Sequence, residues 1–66
     1  MNAKQLRIKL IERGLSVQEL AKAVGISQAT MYVKLNGKSD FTYKEVMSIK
    51  KTLALDIEEF NSIFGN

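Results

Sequence analysis

The sequence predicts an all-α fold in which five short helices pack around one core. Three observations predict it. A short side-chain acceptor stands three residues ahead of a longer acid or amide at Asn2/Gln5, Ser16/Glu19, Thr42/Glu45 and Asp56/Glu59. That pairing satisfies the orphan backbone N–H groups at a helix start. Apolar residues recur at steps of three and four, and no run alternates with period two long enough to suggest a strand. Proline is absent, so the stops fall to glycine, which can take the left-handed conformation that ends a helix.

These signals place helices over residues 3–13, 17–24, 28–36, 43–54 and 57–64. The first follows Asn2, carries Leu6, Leu10 and Ile11, and stops at Gly14. The second follows Ser16, carries Val17, Leu20, Ala21 and Val24, and stops at Gly25. The third starts at Ser27, a cap without an acidic partner, and stops at Gly37. Its Met31 and Leu35, four residues apart, define a buried stripe. The fourth follows Thr42 and carries Val46, Met47, Ile49 and Leu53. The fifth follows Asp56 with Ile57, Phe60, Ile63 and Phe64, of which Ile57 and Phe60 are expected in the core.

Between helices 2 and 3 only Gly25, Ile26 and Ser27 make the turn. So short a connection forces a steep crossing. A close crossing needs a small residue, and Ala21 sits one turn before the glycine. Ile26 is expected to point inward, Gly25 to have positive φ, and Leu10 to meet Leu35.

Composition narrows the function. The 66 residues suit one domain, 1–66. Cysteine and histidine are both absent, which excludes disulfides, thiolate zinc sites and His-dependent nucleophile or acid–base chemistry. No enzyme activity, metal, cofactor or small-molecule ligand is expected. The opening MNAKQLRIKLIERG lacks the apolar core of a signal peptide. No apolar run approaches the ~20 residues of a membrane span. A soluble, cytoplasmic protein is expected. All ten Lys and Arg and four of the seven acids lie in residues 1–51, a net +6, while residues 52–66 hold three acids and no base. A basic body suits a polyanionic partner.

The stretch QELAKAVGISQATMYVKLNGK carries Leu20, Ala21, Gly25, Ile26, Ser27, Asn36 and Gly37 in register. It resembles the lambda-repressor-like (Cro-type, or XRE) helix-turn-helix family. The continuation KSDFTYKEVMSIKKTLALDIEEF is similar to small phage or prophage regulators of Gram-positive bacteria. The resemblance covers nearly the whole chain. Two features depart from it: Val17 stands where the family often has Gln or Thr, and Lys34-Leu35 precede Asn36 where it usually has an apolar residue then Glu.

The resemblance implies a double-stranded DNA operator as partner, with helix 3 in the major groove. Gln28 is the leading candidate for base readout, because its amide can bond adenine N7 and N6 in one plane. Ala29 and Val33 lie outward if Met31 and Leu35 point in. An outward Val33 suits a thymine methyl or is incidental surface. Tyr32 reaches a base or phosphate, or folds against the core edge. Phosphate contacts fall to Ser16 and Gln18 at a helix start, Lys34, Asn36 and Lys38 at the end of helix 3, and Ser39, Thr42, Tyr43 and Lys44 beyond it.

One such domain covers half an operator, so a homodimer is expected, with Phe60, Ile63 and Phe64 as the interface. The function implied is a Cro- or repressor-like transcriptional regulator acting by operator occupancy. A protein-interaction module on the same fold, an antitoxin or anti-repressor partner, stays open as the alternative.

Overall fold

A computed structural model describes residues 1–65. Five helices follow in order: α1 (Ala3–Glu12), α2 (Val17–Val24), α3 (Gln28–Leu35), α4 (Tyr43–Thr52) and α5 (Ile57–Phe64). There is no strand among the described residues. The described fold is all-α.

Each helix begins where the sequence signals it. The side chains of Asn2, Ser16, Ser27, Thr42 and Asp56 each accept from the backbone N–H three residues on. At Ser16, Thr42 and Asp56 the Glu at the third helical position also accepts from the cap's own N–H, closing a full capping box. Asn2 and Ser27 cap without that return bond.

The stops follow a common pattern. After α1, α3 and α4 one N–H bonds five residues back and the preceding one bonds three back, as in Leu15 to Leu10 and Gly14 to Ile11. This closing motif needs a left-handed residue. Gly14 and Gly37 supply it with φ of +68° and +78°, and Gly25 ends α2 in the same conformation at +87°. Ala54 supplies it after α4 at φ +51°. The expected helix over 43–54 therefore ends at Thr52, because Leu53 and Leu55 are both drawn into the core and the chain must turn between them.

The core consists of Leu6, Leu10, Leu20, Ala21, Met31, Leu35, Ile49, Leu53, Leu55 and Ile63. Leu10 and Leu35, expected to meet, both belong to it. Val17, Val24, Ile26, Phe41, Phe60 and Phe64 pack around its edge. Helix α2 packs on α3 and α4, and α1 packs on α5. Burial of Ala21 lets α2 and α3 approach closely.

Polar contacts lock α5 to the rest. Glu59 binds Lys9 at 2.7 Å and Arg13 at 3.1 Å. Arg13 also donates through Nε to the carbonyl of Leu53 at 2.8 Å, satisfying a last-turn acceptor of α4. The Asn2 N–H donates to the Ile63 carbonyl at 2.6 Å. The acid-rich 52–66 segment thus spends Glu59 on internal pairing.

Three apolar expectations are corrected. Ile11 is 77% exposed, because Leu6 and Leu10 take the inner face of α1. Ile57, expected in the core, is 72% exposed, whereas Ile63, expected at a dimer interface, is 1% exposed. Glu59 and Ile63 are four apart and share a helix face. Docking that face on Lys9 of α1 and on Arg13 just beyond its end buries Ile63 and turns Ile57 out.

Candidate nucleic-acid interface

The short α2–α3 turn is built by backbone chemistry. Gly25 and Ile26 both donate to the Ala21 carbonyl, at 2.9 and 3.0 Å. Ser27 then starts α3, accepting from Thr30 N–H at 3.0 Å and donating to the Thr30 hydroxyl at 2.8 Å. Met31 and Leu35 face inward, fully buried.

That leaves the opposite side of α3 open. Gln28, Ala29, Tyr32 and Val33 are all exposed, Tyr32 and Val33 at 42% each. An α-helix with its side chains is about 10–12 Å across, and a DNA major groove about 12 Å wide admits it. The helix has no acid in its first turn, unlike α2, α4 and α5. No Asp or Glu occurs from Leu20 through Ser39. The positive end of the α3 dipole therefore has no carboxylate of its own helix to neutralise it.

The expected rim residues Ser16, Gln18, Asn36, Lys38, Ser39, Thr42, Tyr43 and Lys44 are exposed. Lys38 and Lys44 have no acid within salt-bridge distance among the described residues. At the start of α2 the Ser16 hydroxyl is taken by Glu19 N–H, and the Glu19 carboxylate by Ser16 N–H. The Ser16 N–H holds that carboxylate below its ordinary pKa.

Lys34 is the correction. It was expected to reach a phosphate, yet its side chain is 11% exposed and its Nζ lies 2.6 Å from Glu45 Oε1. The same Nζ sits 5.8 Å from the centre of the Phe41 ring. Lys34 lies next to Leu35 and three residues after Met31, so it borders the buried stripe. Glu45 offers it a charge partner there.

One residue was not anticipated. Arg7 of α1 donates through Nη2 to Asn36 Oδ1 at 2.9 Å, bringing a guanidinium to the end of α3. Nothing in the sequence links two residues twenty-nine positions apart. The bond uses the Asn36 amide oxygen and leaves its donor group, Nδ2–H₂, without a partner on Arg7.

The model of the Cro/C1-type HTH DNA-binding domain matches residues 5–64. The chain belongs to the Cro/C1-type helix-turn-helix family. Comparisons with the curated proteins and with the solved structures each found no match. As a Cro/C1-type domain the chain is a DNA-binding regulator, and α2 and α3 are its helix-turn-helix. Among the described residues there is no group of three potential metal ligands, and no helix is long and apolar enough to cross a membrane.

Proposed function

We propose that the chain is a sequence-specific transcriptional regulator of phage or prophage type that acts in the cytoplasm by occupying its operator. The observation that carries this reading is the exposed, acid-free face of α3, with Gln28 in its first turn and lysines beside it. Gln28 reads adenine, while Val33 and Ala29 pack on thymine methyls and Tyr32 reaches a neighbouring base or sugar. Lys38, Lys44 and Arg7, with Ser16, Gln18, Asn36, Ser39, Thr42 and Tyr43, hold the phosphates on either side.

The regulator works as a homodimer on DNA. The backbone of one copy extends 28 Å along its longest axis, shorter than the ~34 Å between half-sites on one face of the duplex. Two copies therefore fit side by side on successive turns. The contact lies on the side of α5 that carries exposed Ile57, together with the uncovered edges of the half-buried Phe60 and Phe64. The interaction-module alternative uses the same α5 side for another protein.

Selection of bound duplexes from a random pool at fixed salt tests the proposal. It should enrich an inverted repeat of two short half-sites, one helical turn apart. Recovery of unrelated sequences would refute sequence-specific regulation.

A further inference from the structure

Lys34 and Glu45 connect the two parts of the proposed interface. Lys34 belongs to α3 and Glu45 to the first turn of α4. Glu45 Oε1 accepts from Lys34 Nζ at 2.6 Å and from Thr42 N–H at 2.9 Å. Thr42 Oγ1 in turn accepts from Glu45 N–H at 3.2 Å. The Lys34 ammonium also approaches the Phe41 ring, which stacks edge-on against Phe64. A single carboxylate oxygen thus joins the inner side of the recognition helix to the cap of α4. Thr42, Tyr43 and Lys44 all stand at that cap.

We propose that the Lys34–Glu45 pair is a strut that sets the spacing between the base-reading face of α3 and the phosphate-facing start of α4. Lys34 is then a positioning residue, acting on DNA through Glu45 and not through a phosphate. This rests on the DNA-reading orientation of α3 proposed above. Both side chains are largely shielded from water, 11% and 15% exposed, so screening by salt is weak. Residues that share one network couple energetically. Losing the strut loosens α4 relative to α3, and bound DNA can satisfy only one of the two contact sets in full.

Duplex binding across a range of salt concentrations tests the strut. The variants are Lys34→Met, Glu45→Gln, the double variant and Lys34→Arg, each shown folded by circular dichroism at the temperature used. Lys34→Met keeps most of the apolar stem, and Glu45→Gln keeps an acceptor for Thr42. Each of these should weaken binding about tenfold with unchanged base preference. The slope of log K against log salt should not change. The double variant should lose no more than the weaker single variant, and Lys34→Arg should recover most of the affinity.

A slope reduced by about one in Lys34→Met would mean a direct phosphate contact and overturn the strut. So would unchanged affinity in the folded variants, which would make the pair a stabilising contact only. If Lys34→Met does not fold, the double variant leaves no shielded charge unpaired and carries the same two readouts. Failure of the unaltered chain to bind any duplex would overturn the reading of α3 itself, and the strut with it.

Discussion

Arg7 of α1 donates to Asn36 at the C-terminal end of α3 across 2.9 Å, so the first helix contributes a cation to the edge of the recognition helix. The bond uses one of five guanidinium N–H groups, which leaves others to face a phosphate. Arg7→Gln should therefore weaken binding to all duplexes alike and lower the salt slope by about 0.9. Titrations at several salt concentrations read both quantities. An unchanged slope would confine Arg7 to bracing Asn36.

Acid should loosen the α1–α5 junction through Glu59. Lys9 first, then the Asp56 N–H, hold its pKa at about 2, below the ordinary 4.5. A carboxylate with a depressed pKa in the folded state adds stability above its unfolded pKa. That contribution is lost as pH falls from about 4.5 towards 2. Thermal melts over this range should show a fall in Tm that Glu59→Gln reduces, because the amide does not titrate there. Parallel curves for the two proteins would contradict the assignment.

Gly25 and Ala54 make opposite predictions from the same backbone conformation. A Cβ on Gly25 meets nothing within 4 Å, so its cost is one of φ alone. Gly25→Ala should cost about 1 kcal/mol, and Gly25→Val about 1–2 kcal/mol or more. Ala54 already bears that strain at φ +51°, so Ala54→Gly should stabilise by up to about 1 kcal/mol. In a domain of this size that is a Tm shift of about 4–8 °C. A destabilised Ala54→Gly would mean the turn is not strained.

The two isoleucines of α5 should separate stability from association. Ile63→Ala empties a buried site and should cost about 2–5 kcal/mol. Ile57→Ser touches only surface and should stay within about 0.5 kcal/mol. On the proposed dimer face, however, Ile57→Ser should raise the concentration needed for two-copy occupancy. Denaturation and light scattering on DNA distinguish these effects. A stable Ile63→Ala would displace Ile63 from the core.

The helix starts were legible because a capping box is local: Ser16, Thr42 and Asp56 each carry both halves of it within four residues. Gly25 and Gly37 likewise announce stops by residue type. Ala54 gave no such sign, since its conformation is imposed by burying Leu53 and Leu55 on either side. The outward set on α3 followed from placing Met31 and Leu35 inside. Lys34 did not, because a lysine reads as solvated until an acid reaches it, and Glu45 comes from the next helix. Spacing alone could not rank Ile57 against Ile63, as both lie on the apolar side of α5. The choice is made by Glu59 meeting Lys9 and Arg13, a contact between distant parts of the chain. Arg7 with Asn36 belongs to the same class.

The most direct test of the account is repeated selection from a random duplex pool with the unaltered chain and with Gln28→Ala at the same salt concentration. The variant should lose discrimination at one adenine position in each half-site, by about 1–3 kcal/mol, and keep the rest of the motif. A variant that binds more weakly everywhere but retains the full base preference would contradict readout by the exposed face of α3.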